Sequence, residues 1–296
     1  MNDPITWKRL KAIFDNPKPV EHVWQHQFDY DDGKLKELAL TKLEEIDFGD
    51  MWYYHHDLAY MELQPELFKY LFPVCLMDWH QSLLANDSCS HGDSEFHYGI
   101  IHGNVLDKML TPTRRNAVNQ VFVDSMLFRL HQERFLQWDH RRSTAYGWIL
   151  RLNSLGLFFD QLPDIWRQWW KVESVGHALC IMEYCSALMY FYFDNPVIPQ
   201  VEGWTRGGPY LGGSDSHVHD RGWSEPNIEF LRGFLTINRV KEAVTKAKDV
   251  LRDQPEGPLA GKMCGDLEES NDLIASRIDE LPSILASGDC MKDWTV

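Results

Sequence analysis

The stretch from Gly176 to Phe193 is apolar on nearly every side, and it limits what the whole chain can become. At about 18 residues it is at the short edge of what crosses a bilayer. His177 and Glu183 lie inside it, and a carboxylate at mid-span costs about 2.5–3.5 kcal/mol on insertion scales. The run therefore reads as the end of a buried core helix that begins near Asp164. A helix without a polar face must be covered on all sides. The rest of the chain is expected to supply amphipathic helices around it.

Several segments have that pattern. Leu35, Leu38, Lys42 and Ile46 begin a short amphipathic helix after the turn signal Asp31-Asp32-Gly33. Residues 64–84 read as two helical pieces joined at Pro73, because proline removes an amide donor from a helix interior. Thr111-Pro112 is a strong start signal, a capping hydroxyl followed by proline at the first helical position. Val118, Val121, Phe122 and Met126 then share one face of a helix that could run to about Trp138. A further run covers Ala145 to Leu162. Near the end, Ile237, Val240, Val244, Ala247 and Leu251 mark one helix, with Glu242 and Lys246 as an i,i+4 pair. Leu267, Ile274, Ile278 and Leu281 mark another, ended near Pro282. No series of strands appears, so the expected fold is an all-α multi-helix globular bundle.

Two regions interrupt the periodicity. Residues 86–104 are polar and rich in Gly, Ser and His, and read as a loop. Residues 195–227 hold six Gly and four Pro. A long irregular loop of this kind is usually functional or a linker. The expected organisation is a main helical domain at 1–194, the loop at 195–227, and a C-terminal helical segment at 228–296 packed on the main domain.

The net charge is −15, and the middle of the chain runs against it. Residues 111–171 carry five acids and nine bases, including Arg114, Arg115, Arg129, Arg134, Arg141 and Arg142, while every flanking segment is acidic. Nonspecific nucleic-acid binding needs an overall basic face and is disfavoured. The arginines are expected to pair with nearby carboxylates. The chain opens without a basic start followed by an apolar run, and the six cysteines form no Cys-x-x-Cys pair. Both point to a cytoplasmic protein with reduced thiols and no membrane anchor.

Catalytic patterns are sparse. No Gly-x-Ser-x-Gly elbow or Walker-type phosphate loop occurs. The string DSHVHDRG holds His217 and His219 and resembles the His-x-His metal motif of the amidohydrolase superfamily. Only 74 residues follow Gly222, too few for the remainder of a barrel of about 250 residues. His91, His97 and His102 share the 86–104 segment with Cys89, Asp93 and Glu95. Zinc accepts these ligand types, although the spacing matches no closed structural site. No cofactor is expected. A metal-dependent hydrolase, with zinc held by one of these histidine groups, is the alternative reading, and a helical adaptor binding through the 195–227 loop is a third.

The remaining candidates are binding residues. Asp29, Asp31 and Asp32, then Glu44, Glu45, Asp47 and Asp50, form two acidic groups, and a third holds Asp266, Glu268, Glu269 and Asp272. Such groups either keep a surface soluble or steer a basic partner. Trp166, Trp169 and Trp170 fall at i, i+3, i+4 and form one helical patch. Exposed, it is an interface anchor; buried, it is core. In being helical, acidic, aromatic-rich and free of catalytic motifs, the chain resembles bacterial immunity-type inhibitors. The phrase LQPELFKYLFPVCL looks like a Leu-x-Pro…Leu-Pro helix of uncharacterised bacterial helical domains. The resemblance implies an acidic protein that neutralises a basic partner such as a toxin, and it assigns no individual residue a role.

Overall fold

The structure, a computed structural model, describes residues 2–24, 32–85, 91–134, 136, 160–191, 194–197 and 224–287. Helix is the only regular secondary structure among these residues, with no strand, so the chain is all-α as its periodicity implies. They form two compact units, 1–125 and 126–296. The division falls within a helix, whereas the sequence reading places its boundary at 195–227, of which only 195–197 and 224–227 are described.

The first unit contains α1 (Trp7–Ile13), α2 (Asp32–Leu40), α3 (Trp52–Tyr60), α4 (Pro65–Ala85), α5 (His91–His102) and α6 (Val105–Met109), and 3-10 turns at Leu43–Glu45 and Phe48–Met51. It also holds most of α7 (Pro112–Gln132). The expected helix over 35–46 ends at Leu40, where the Thr41 hydroxyl donates to the Glu37 carbonyl at 2.8 Å.

α4 is the core of this unit, with every residue from Leu71 to His80 buried. It runs unbroken through Pro73, against the expected break. An interior proline costs about 3 kcal/mol, and burying one large apolar side chain returns about 1.5–3 kcal/mol. Leu67, Phe68, Leu71, Phe72, Val74 and Leu76 are all buried around the proline, so packing outweighs the lost bond. Phe14 of the first segment meets Phe68 and Phe72 edge-on, at 6.2 and 5.8 Å between ring centroids.

The segment expected to be a polar loop contains α5 instead. Phe96, Gly99 and Ile100 are buried on its inner face, a short stripe that the surrounding polar letters mask. Glycines let α5 approach α3 closely. A Cβ on Gly99 would lie 2.8 Å from the His55 carbonyl oxygen, and one on Gly103 would lie 1.9 Å from that of Leu58.

The second unit holds the end of α7, then α8 (Leu162–Trp169), α9 (Val175–Met189), α10 (Glu225–Phe234), α11 (Ile237–Val250), α12 (Gly257–Asp266) and α13 (Asn271–Ser287). The single helix expected over 164–193 is two. Val172 sits at φ 58, a conformation a β-branched residue adopts at a cost, and the Ser174 hydroxyl then caps α9 by accepting from the His177 amide at 3.2 Å. All of α9 from Gly176 to Met189 is buried, as expected of the central helix, and α11, α12 and α13 pack on it. α13 continues through Pro282 to Ser287, past the expected end. The expected helix over 145–162 lies outside the described residues except at its last positions. No helix among the described residues is long and apolar enough to cross a membrane.

Candidate functional site

The acidic residues singled out above are held by lysines. Glu44 pairs with Lys11, Glu45 with Lys42 at 2.8 Å, and Asp50 with Lys34 at 2.7 Å. The bond from Lys11 pulls the Glu44 carboxyl below its ordinary range, and the bonds to Asp50 and Glu45 raise Lys34 and Lys42. Asp47 accepts from the Gly49 amide at 2.9 Å and caps the second 3-10 turn. Asp29 and Asp31 lie outside the described residues, and Asp32 is described only as the first residue of α2. In the second unit Asp266 pairs with Lys262 at 2.5 Å and Glu268 with Lys241 at 2.8 Å.

The carboxylates of 44–50 lead directly into α3, which carries a feature the sequence reading missed. Trp52, His56 and Tyr60 recur every fourth residue on one face of α3. Trp52 stacks on His56 at 6.1 Å, His56 meets Tyr60 at 4.7 Å, and Tyr60 meets Tyr98 of α5 at 5.9 Å. Tyr98 in turn stacks on His102 at 3.8 Å, and the Tyr60 hydroxyl donates to that of Tyr98 at 2.7 Å. Trp52 is 44% and Tyr60 53% exposed. The result is an aromatic strip across two helices, open to solvent. Its signal is present in the sequence as an i, i+4, i+8 spacing of Trp52, His56 and Tyr60.

The tryptophans of the second unit are the reverse case. Trp166, Trp169 and Trp170 are buried, packed on one another at 5.2–6.1 Å and against Tyr184. The triad is core rather than an exposed anchor, because α9 and α10 cover it with Tyr184 and Phe234. Arg114 pairs with Asp15, Arg115 with Asp107, and Arg129 with Glu133 at 2.8 Å, while the Arg134 guanidinium donates to the His131 and Glu133 carbonyls at 3.0 and 2.6 Å.

Of the candidate histidines, only the His97 and His102 side chains lie among the described residues. His97 is fully buried and accepts a hydrogen bond from the Trp79 indole at 2.8 Å, a structural role. His102 is exposed and belongs to the aromatic strip. The His91 side chain and all of His217 and His219 fall outside the described residues. Among the described residues no three His, Cys, Asp or Glu side chains are placed to hold a metal ion.

Buried ionisable side chains also occur in both units. In the first unit, burial lowers His55 to about 3 and raises Asp78 to about 6. His55 is thus neutral at physiological pH, and its Nε2 is 3.9 Å from Asp78, beyond hydrogen-bond reach. This pair cannot pass a proton as it stands.

In the second unit, Arg129 of α7 and Glu133, just past its end, lie beside Glu183 of α9, all three buried. Burial above all, and then the Glu133 carboxylate, pushes Glu183 well above the usual range, with Arg129 opposing. The folded chain therefore holds this proton to higher pH than the unfolded chain, which loses it above about pH 4.3. Stability at this position is complete below that pH and is lost as pH rises toward the folded value. Glu183→Gln is accordingly expected to be more favourable to stability at pH 8 than at pH 4. Urea denaturation of both proteins at the two pH values measures this. An effect of equal size at both would rule out a protonated Glu183.

No protein-family model, no curated protein and no solved structure matches this chain.

Proposed function

We propose that this chain is an acidic binding protein that occupies a basic protein partner, in the manner of an immunity protein blocking a bacterial toxin. The aromatic strip Trp52–His56–Tyr60–Tyr98–His102, entered from the carboxylates of 44–50, carries the reading. Aromatic side chains dominate interface hot spots because they bury a large area at little entropic cost. The net charge of −15 supplies long-range attraction for a basic protein. Lysine and arginine side chains of such a partner fit the strip through cation–π contacts. They can also displace Lys11, Lys34 and Lys42 from their carboxylates, since exposed ion pairs are weak and screened by salt. Charge would then govern the rate of capture, and the aromatic contacts the rate of release.

The test is titration calorimetry of the whole chain against the basic protein encoded by the neighbouring gene, at about 50 and about 300 mM salt. Binding that weakens with salt is the expected result. The Trp52→Ala/Tyr60→Ala variant is expected to weaken binding at least about thirtyfold, the loss of one hot-spot residue of about 2 kcal/mol. No binding at low salt would refute the capture reading. Binding that the variant leaves intact would remove the strip from it.

A further inference from the structure

A surface groove in the second unit runs against the charge of the chain. Arg167, Trp170 and Lys171 line it from the end of α8 onward, Phe234 from the end of α10, and Arg239, Glu242 and Lys246 from α11. It encloses about 170 Å³. Four cations thus meet in one groove of a protein whose net charge is −15.

Each cation has a definable state. Arg239 lies over the Phe234 ring with its guanidinium carbon 4.3 Å from the centroid, and Arg167 lies 4.9 Å from that of Phe230. Contact through the face of a guanidinium leaves its edge, where the N–H donors are, available. Arg167 gives one donor to Asp164 at 3.1 Å, and Lys246 pairs with Glu242 at 2.8 Å. Lys171 is exposed, and its ammonium forms no ion pair or hydrogen bond among the described residues. Four cations against these two carboxylates leave two positive charges uncompensated. Trp170 adds an aromatic wall to the lining.

A helix C-terminus attracts basic residues, and that accounts for Arg167 and Lys171 taken alone. It does not account for Arg239 and Lys246, which reach the same groove from the first turn and the middle of α11. The N-terminal end of α11, where Arg239 lies, adds partial positive charge.

We propose that this groove binds a phosphate dianion, either inorganic phosphate or the phosphate of a small monoester. The charge surplus matches a dianion, and fork-shaped guanidinium donors match phosphate oxygens. The volume is close to that of a cavity of about 150 Å³ that holds one benzene. It therefore admits a phosphate group with a few further atoms, and not a dinucleotide. The site lies in the second unit and is independent of the protein-capture reading.

Titration calorimetry of the intact chain with inorganic phosphate and, separately, with phenyl phosphate tests the assignment. Saturable binding of at least one probe is expected. Lys171→Glu should weaken it at least about tenfold by placing an anion in the groove, while Lys8→Glu, the same charge change on an exposed residue of the first unit, should leave it unchanged. Tighter binding of phenyl phosphate identifies a monoester site, and equal or tighter binding of inorganic phosphate identifies the free ion. No saturable binding of either up to about 10 mM, weaker than a millimolar site of about −4 kcal/mol, would overturn the proposal. So would equal losses in the two variants.

Discussion

Arg129→Ala is expected to destabilise the chain by about 3–5 kcal/mol, the cost of stranding a buried charge. Arg129 is 4% and Glu133 5% exposed. They stand four residues apart, Arg129 in the last turn of α7 and Glu133 just past its end, joined at 2.8 Å. Without the guanidinium, the buried Glu133 carboxylate loses this ion pair and stays beside Glu183, whose own charged form burial already disfavours. Arg129 also opposes the rise of the Glu183 pKa, so its removal raises that group further, and the loss should be larger at pH 8 than at pH 4. Arg129→Met combined with Glu133→Leu removes both charges and keeps the volume, so it should recover most of the stability. Urea titrations followed by tryptophan fluorescence measure all three proteins. A loss for Arg129→Ala that is the same at pH 4 and pH 8 would show that no buried carboxylate is uncovered.

Gly103→Ala is expected to cost about 3 kcal/mol, the upper end of what overpacking usually costs. The added Cβ would meet the Leu58 carbonyl oxygen at 1.9 Å, the Gly99 carbonyl oxygen at 2.8 Å and Val105 Cγ2 at 2.9 Å. Two of these are backbone atoms and cannot rotate away, so α3 and α5 must separate. The Tyr60–Tyr98 hydrogen bond crosses between those helices, so the aromatic strip should be disrupted as well. Near-ultraviolet circular dichroism reports the tyrosine environment, and urea denaturation the stability. Gly261→Ala is the matched control. It lies inside α12 with nothing within 4 Å of an added Cβ, and replacing a helical glycine by alanine should gain about 0.5–1 kcal/mol. If both variants unfolded at the wild-type urea concentration, the close α3–α5 contact would be disproved.

Part of this architecture was legible in short windows of sequence. Val118, Val121, Phe122 and Met126 are buried along α7, and Val240, Val244, Ala247 and Leu251 along α11 or at its end. The Glu242–Lys246 pair forms at 2.8 Å as its spacing requires. Such features depend on helical period alone, which any window of a dozen residues contains.

The candidate sites were much less legible. The aromatic strip combines one face of α3 with one of α5, and its two halves meet only because Gly99 and Gly103 admit a neighbouring backbone. The phosphate groove draws its cations from α8 and α11, far apart in the chain. Glu44 is held by Lys11, 33 residues away.

The sequence by itself determined the helical class, the register of the amphipathic helices and the central place of Gly176–Met189, since these follow from backbone geometry and apolar spacing. Only the tertiary structure decided that α4 persists through Pro73, that residues 91–102 are helical, that Val172 divides one expected helix into two, and that the three tryptophans are buried. Each of these turns on a local preference of one to a few kcal/mol, and burial against distant residues supplies as much or more.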